Sequence, residues 1–359
     1  MSNPIFIARQ DTLEQEILPA HWLAQYKLFG EESYTFQDKG IWKKLCMSSA
    51  AANDRDMHAE ALEEMLTTFS AEHTGKWMLL VYGTNAAALE GLATMAAIAA
   101  NGTAMGAIVD NALLMHAIAN SETAMQRIAN SQTAMQRVAN NRGAMDAIGR
   151  SRIARDAVQA SPYYNSCIKE NDMAIAKLAV ALANLESAGY SGMAGVAADS
   201  TAMTAVAASS TAMTAVAASG VALKAIAQAY KNTANMLQFL KAVNASDTLI
   251  KRIYTTLTNA TALFGASQLG AQDGVADANI WATTSAAPNA FLACACGYYN
   301  SGGASVDVTY NGTAIAQNKT GTRQPGSVTS TNVNAITMAP STFTENGDGW
   351  LAVQKFTVK

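Results

Sequence analysis

Ser121-Glu-Thr-Ala-Met-Gln-Arg-Ile-Ala-Asn130 is followed without interruption by Ser131-Gln-Thr-Ala-Met-Gln-Arg-Val-Ala-Asn140. Both copies belong to a repeat that places a methionine at every tenth position from Met95 to Met145, with Ile or Val three residues later. A second array resumes the repeat at Met193 in a shifted phase. Self-similarity at a fixed period is typical of stacked or elongated architectures, so these repeats decide the fold.

Two conformations are compatible with this period. In one continuous helix, ten residues turn through about 1000°, so the apolar stripe slips by about 80° per repeat. Polar residues such as Gln132 also interrupt the spacing that a coiled coil needs. In the other conformation, each repeat is a short helix that ends at an asparagine in the left-handed conformation and restarts at a serine N-cap. Helices this short need stacked neighbours, so the pattern favours a decapeptide-repeat short-helix solenoid, with a helical shaft as the alternative.

The repeat predicts a core made of its methionines and the aliphatic residues three positions later, all on one helix face. The predicted core residues are Met105, Ile108, Met115, Ile118, Met125, Ile128, Met135, Val138, Met145, Ile148, Met203, Val206, Met213 and Val216.

After Phe264 the composition changes to Gly, Ser, Thr and Asn, with alternating apolar residues. The segment Val306–Tyr310, the pair Asn311-Gly312 and the segment Thr313–Gln317 predict a β-hairpin. Further strand candidates suggest a small antiparallel β-sandwich or barrel, which makes the fold class α + β multidomain. The predicted segments are a mainly helical N-terminal attachment domain (1–88), the first array (89–160), an interruption and a helix (161–190), the second array with a long helix at Val221–Val243 (191–245), a linker (246–276) and the C-terminal β-domain (277–359).

Composition narrows the classes of function. Charged residues make up 14% of the chain, the net charge is −3, and no Lys/Arg run is present, which argues against nucleic-acid binding. No signal peptide is recognisable and no apolar run reaches the ~20 residues of a membrane span, so we expect a soluble protein without membrane insertion. The four cysteines, Cys46, Cys167, Cys294 and Cys296, have neither disulfide-scaffold nor zinc-site spacing, and we expect them to be buried and free.

The sequence contains no HExxH, GxSxG, P-loop or GxGxxG pattern, and we expect no enzyme, catalytic residue, metal or cofactor. Asp54 and His58 would share a helix face, which fits either a metal or acid–base role or a solvated surface. Arg127 and Arg137 occupy equivalent repeat positions, as part of a basic stripe for an anionic partner or of a solvated face. In the C-terminal domain, the aromatic residues able to contact a glycan or another receptor are Trp281, Tyr298, Tyr299, Tyr310 and Trp350, and these equally suit a core.

Units such as Ser200-Thr-Ala-Met-Thr-Ala-Val-Ala-Ala-Ser209 resemble repeats of tail-fibre and related virion fibre proteins of tailed bacteriophages, over about residues 91–230. The resemblance implies a structural subunit of a tail, collar or neck fibre, present in the virion and assembled in the host cytoplasm. It also implies a homotrimer that attaches to other virion proteins through residues 1–88 and presents its distal β-domain to a host-surface glycan or protein. A bacterial surface adhesin and a capsule- or lipopolysaccharide-degrading fibre are the alternatives.

Overall fold

The structure, a computed structural model, describes residues 55–67, 74–75, 78–79, 87–229, 231, 233–273, 280–283, 290–298, 304–323, 327–346 and 349–359. Across these residues the chain is a mixed α/β protein with many short helices and two small, mainly antiparallel sheets. It divides into two compact units, residues 1–168 and 169–359, which are described separately. Most of the predicted attachment domain, residues 1–88, lies outside the described residues.

The first unit is helical throughout its described part. Its α-helices are α1 (Arg55–Thr67), α2 (Ala87–Glu90), α3 (Met95–Ala100), α4 (Gly102–Val109), α5 (Ala112–Ala119), α6 (Glu122–Ala129), α7 (Gln132–Ala139), α8 (Arg142–Arg150) and α9 (Arg152–Ala160). The repeats are therefore separate short helices, and the continuous-helix conformation is wrong. A π-helical turn at Tyr164–Lys169 follows, where Pro162 and two tyrosines interrupt the repeat.

Each repeat helix of the first array starts at a polar N-cap. The Ser121 and Ser131 side chains accept hydrogen bonds from the backbone N–H groups of Ala124 and Ala134. Asn141 does the same for the N–H of Ala144. These residues have extended backbone conformations, so the chain leaves one helix and enters the next within two residues.

The prediction that asparagine ends these helices in the left-handed conformation is wrong. Asn130 and Asn140 have φ of −90° and −92° with ψ near zero. Their side-chain amides instead donate to the carbonyls of Gln126 and Gln136, both at 2.9 Å. The same two carbonyls also accept from the backbone N–H groups of Asn130 and Asn140, at 3.2 Å, so each asparagine binds one carbonyl twice and no positive φ is needed.

Helices of the first unit pack against the third helix along the chain. Helix α4 contacts α7, α5 contacts α8, and α6 contacts both α3 and α9. Consecutive helices turn sharply, by 102° between α4 and α5. Helices three repeats apart along the chain therefore lie next to each other, and their Met and Ile/Val side chains are buried.

No single described helix is long and apolar enough to cross a membrane. Two consecutive pairs pass the length and composition criteria only when joined: Gly102–Val109 with Ala112–Ala119, and Ser210–Ala217 with Gly220–Gln228, the second bent by 96°.

The second unit begins with the same packing rule and continues into the sheets. Its helices are α10 (Asp172–Leu182), α11 (Met193–Ala198), α12 (Ser200–Ala208), α13 (Ser210–Ala217), α14 (Gly220–Gln228), α15 (Thr233–Asn244) and α16 (Asp247–Asn259). Helix α10 contacts α13, α11 contacts α14, α12 contacts α15, and α13 contacts α16. The stacking of every third helix therefore persists after the interruption.

Two expectations for this unit need correction. The long helix at Val221–Val243 is two helices, α14 and α15, because the chain turns after Gln228. The segment 246–276 is not a linker, since it contains α16 and the first strand. Apolar residues at Leu249, Ile253 and Leu257 recur at helical spacing behind the Ser246 N-cap and bury one face of α16.

The strands are β1 (Phe264–Asp273), β2 (Ile280–Thr283), β3 (Ala290–Tyr298), β4 (Ser305–Tyr310), β5 (Thr313–Thr320), β6 (Thr322–Arg323), β7 (Ala335–Met338), β8 (Ser341–Asn346) and β9 (Gly349–Val358). The first sheet has the order β1-β9-β3-β6, with β7 also pairing β3, and the second has the order β2-β8-β4-β5. Pairing is antiparallel except for the short β3–β6 contact. Neither sheet closes into a barrel within the described strands.

The predicted hairpin is confirmed. Strands β4 and β5 pair from Tyr310 opposite Thr313, and Asn311 and Gly312 both have positive φ, 49° and 77°. This is the geometry of a two-residue turn whose twist matches the flanking strands.

The first sheet contacts the last helices of the stack as well as the second sheet. Helices α14, α15 and α16 contact β9, β7 and β1, while β3 and β7 contact β4. The Tyr254 hydroxyl of α16 donates to the Val328 carbonyl and to Gln354 on β9, at 2.7 and 2.9 Å. Helices and sheets of this unit thus share one core.

Candidate functional site

The most regular polar feature of the first unit is a set of hydrogen bonds between helices that lie three repeats apart along the chain. The hydroxyls of Ser131, Ser151 and Ser161 donate to the carbonyls of Ala99, Ala119 and Ala129, at 2.6, 2.6 and 2.5 Å. Every one of these bonds spans 32 residues. We call them the serine ladder. Ser131 and Ser151 also cap their own helices. One hydroxyl therefore fixes both the residue at which the helix starts and the position of that helix against the helix three repeats earlier.

The serine ladder ends at Glu63 of helix α1. Ser121 would reach back to Leu89 by the same rule, but the Leu89 carbonyl accepts from the N–H of Leu92 at 3.1 Å. Ser121 donates instead to the Glu63 carboxylate, which also accepts from the Thr123 N–H at 3.1 Å and from the Thr123 hydroxyl at 2.5 Å. A carboxylate at a helix N-terminus is favoured by the helix dipole. Helix α1 therefore closes this end of the stack in place of a further repeat.

In the second unit the links between turns use varied donors. Ser209 donates to the Leu182 carbonyl at 3.0 Å, Asn235 donates to Ala197 at 2.8 Å, and Thr256 donates to Ala217 at 2.8 Å. Met193 N–H donates to the Asp172 carboxylate at 3.0 Å. The spacings range from 21 to 39 residues, because the segment between α10 and α11, the segment between α14 and α15 and the longer helices α15 and α16 all break the ten-residue period.

All the predicted repeat-core residues are buried. Fourteen side chains belong to this set, and none is more than 1% exposed: Met105, Ile108, Met115, Ile118, Met125, Ile128, Met135, Val138, Met145, Ile148, Met203, Val206, Met213 and Val216. The residue before each of these methionines is buried as well; it is Leu114 before Met115 and alanine before the other six, and the small alanines let neighbouring helices approach closely. Each array therefore has an apolar interior and a thin polar exterior.

The five candidate aromatic residues do not form one exposed surface. Tyr310 on β4 is 2% exposed and Trp350 on β9 is 1% exposed, so neither ring can stack on a sugar. Both belong to the core, and burial raises the pKa of the Tyr310 hydroxyl. Tyr298 is half-buried at the end of β3, where it pairs with Gly349.

The two remaining aromatic candidates cannot be placed on a surface. Trp281 lies on β2 opposite Phe343, and the surroundings of its side chain are outside the described part of the structure. Tyr299 lies outside the described residues altogether.

The charged candidates of the first unit are dispersed. His58 is 3% exposed, so the solvated-surface interpretation is wrong for this residue, while Asp54 lies outside the described residues. Arg127 and Arg137 are both exposed, as either interpretation of the basic stripe requires. Helix α7, which carries Arg137, packs against α4, whereas α6, which carries Arg127, packs against α3 and α9, so the two arginines lie on different sides of the stack.

Asp199 is the clearest electrostatic feature of the second array. It is the N-cap of α12 and accepts from the Ala202 N–H, and the Tyr190 hydroxyl donates to it, both at 3.0 Å. The backbone bond first, and the Tyr190 bond second, hold the pKa of Asp199 below its ordinary value. Burial, reinforced by the same bond to Asp199, raises the pKa of Tyr190. The pair is structural, since it ties the segment before α11 to the start of α12.

No group of three or more His, Cys, Asp and Glu residues in the described ranges is arranged to hold a metal ion. Cys167, Cys294 and Cys296 are buried and form no disulfide with one another, and Cys46 lies outside the described residues. The described helices are instead held in register by N-caps, by hydrogen bonds between non-consecutive helices and by a methionine core. Sequence reasoning missed Glu63 and the second role of the cap serines, because neither bond follows from local spacing.

No protein-family model matches the chain, and no curated protein matches it closely enough to indicate a relative.

Proposed function

We propose that each array is a helical solenoid with three ten-residue repeats per turn, and that the second solenoid ends on a β-sandwich formed by the two sheets. The contacts between every third helix support the solenoid, as does the constant 32-residue span of the serine ladder. The contacts of β3 and β7 with β4, and of β8 with β9, support the sandwich. In solenoids each repeat contacts only its neighbours, so length and stiffness grow with repeat number.

We further propose that the chain is a non-enzymatic structural fibre subunit of a phage virion, in a tail, collar or neck fibre. Residues 1–88 attach it to other virion proteins, the solenoids set the reach, and the β-domain contacts the host surface. The observation that carries this proposal is the serine ladder. The Ser131 and Ser151 hydroxyls each cap their own helix and bind the helix three repeats earlier, and bonds of this kind make the stack rigid, as a spacer requires. The resemblance of the repeats to virion fibre proteins supports the assignment of the chain to a phage particle. Fibres assemble as homotrimers, and multivalent attachment lets weak single sites suffice.

Immunogold electron microscopy of the phage particles that encode the chain tests this proposal. Antibodies against the purified chain are expected to label a fibre of the tail, collar or neck. Light scattering after size exclusion is expected to give three times the chain mass of 37.6 kDa. Particles that carry no label, together with label on the bacterial surface, would favour the adhesin instead. Depolymerisation of host capsule or lipopolysaccharide by the purified chain would favour a degrading fibre.

A further inference from the structure

A cleft of about 720 Å³ opens in the second unit beside helix α16. Its volume lies within the range of roughly 300–1,000 Å³ that is usual for sites of small ligands. The cleft was not foreseen from the sequence, where this segment was expected to be a linker.

One wall of the cleft is the polar face of α16. Six residues of this helix line it, at positions i, i+3, i+4, i+7, i+8 and i+11, which fall on one helix face: Thr248, Lys251, Arg252, Thr255, Thr256 and Asn259. The opposite face, with Leu249, Ile253 and Leu257, is buried. Because the apolar face is fixed in the core, the polar face is held towards the cleft.

The other wall is positioned by hydrogen bonds and close packing. Lys169 and Glu170 line this wall, and the Lys169 carbonyl accepts from the Ser219 hydroxyl at 2.6 Å. A Cβ on Gly220 would lie 3.0 Å from the Cβ of Ala260, so glycine lets the segment after α16 approach the start of α14. The cleft is therefore built into the fold.

The cleft is more positive than the chain around it. Lys169, Lys251 and Arg252 face a single acid, Glu170, whereas the whole chain has a net charge of −3. The nearest helical acid, Asp247, lies 3.3 Å from Lys319 instead. Within the part of the chain that the structure describes, Lys251 and Arg252 make no ion pair. Two cations on adjacent positions of one helix, without a carboxylate partner, favour an anionic ligand.

We propose that this cleft binds an acidic saccharide, a sugar chain that carries carboxylate or phosphate groups. Lys251 and Arg252 neutralise the acid group, with Lys169 across the cleft. The hydroxyls of Thr248 and Thr255 and the amide of Asn259 supply hydrogen bonds to sugar hydroxyls. A simple inorganic anion would leave most of the volume and these hydroxyls unused. The proposal rests on the proposed function and extends it, since it names a chemical class of host receptor and adds a contact in the helical part of the second unit to the one proposed for the β-domain.

Calorimetric titration of the full chain tests the proposal with three probes: tetragalacturonate for carboxylates, mannose 6-phosphate for phosphates and maltotetraose as the neutral sugar. The double variant Lys251→Gln/Arg252→Gln removes the cations and keeps side-chain length. Lys241→Gln on the neighbouring helix α15 is the matched control, because it removes an exposed positive charge outside the cleft. Thermal melts of all three proteins check that they fold.

At least one acidic probe is expected to bind the wild type more tightly than maltotetraose does, and its affinity is expected to fall at high salt. The affinity for this probe should fall at least 10-fold in the double variant but less than 2-fold in Lys241→Gln. Preference for the carboxylated or the phosphorylated probe identifies the acid group. Equal losses in both variants, or no binding of either acidic probe below 10 mM, would overturn the proposal. If neither acidic probe binds but the micrographs show labelled fibres, only the proposal of a saccharide site in the cleft is refuted. If a saccharide binds but no particle is labelled, the assignment to the virion is refuted instead.

Discussion

Replacing Ser151 by alanine is the most direct test of the serine ladder. Its hydroxyl caps α9 by accepting from the Ala154 N–H at 3.3 Å and donates to the buried carbonyl of Ala119 at 2.6 Å. Loss of an N-cap costs about 1 kcal/mol. A buried carbonyl left without a donor costs about 1–3 kcal/mol. The variant should therefore lose about 2–4 kcal/mol in the free energy of unfolding.

Two further variants separate the cap from the link between turns. Ser151→Gly keeps most of the cap stability, since glycine at an N-cap costs only a few tenths of a kcal/mol, so it should lose about 1–3 kcal/mol through the carbonyl. Ser246 makes only its cap bond, to Leu249, among the described residues, so Ser246→Ala should lose about 1 kcal/mol. Chemical denaturation of the intact chain gives these free energies, and amide hydrogen exchange locates the affected helices.

Equal losses in Ser151→Ala and Ser246→Ala, together with a Ser151→Gly variant as stable as the wild type, would refute the reasoning. The 32-residue bonds would then be geometric coincidences of the stack and would add nothing to its stability. Greater exchange confined to α9, without effect on the Ala119 turn of α5, would lead to the same conclusion.

Four other predictions concern single contacts. Met135→Ala should destabilise the first unit by about 2–5 kcal/mol in urea unfolding, since it opens a cavity in the repeat core, whereas exposed Gln136→Ala should change it little. Gly312→Ala should cost about 1–2 kcal/mol in the same assay because φ there is 77°, and Gly312→Asn should cost less. Asn244→Leu should cost at least about 2 kcal/mol, since the Asn244 amide pairs with both the N–H and the carbonyl of Ile336 on β7. Asp199 stabilises the fold at pH values above its ordinary pKa of 3.8, and this contribution is lost as the pH falls through the lower pKa that Asp199 has in the folded protein. The melting temperature of Asp199→Asn should therefore fall less than that of the wild type as the pH is lowered.

Much of the repeat architecture could be predicted because its signals are local. The spacing of Met125 and Ile128 fixes one helix face, and Ser121 marks the helix start whatever lies nearby. The packing of every third helix could not be predicted, because it depends on the bend at each junction and on contacts between helices 30 residues apart. The hydrogen bonds of Glu63 could not be predicted for the same reason, since its partners are 58 and 60 residues away.

The β region shows a similar division between local and distant information. The Asn311-Gly312 turn predicted its hairpin, and Val306, Val308 and Tyr310 alternate along β4, so the burial of Tyr310 followed from a pattern already visible. The partners of α16 were not visible, because it packs against helix α13 and strand β7, which lie far from it along the chain. The cleft beside α16 depends on that packing.

The packing of every third helix has a consequence for how such a chain could change in length. If each turn contains three repeats, as proposed, gain or loss of one ten-residue repeat, such as one of the two similar copies at residues 121–140, would rotate every later helix of the unit by a third of a turn. Gain or loss of thirty residues would change the length of the stack and leave every later surface feature facing the same way.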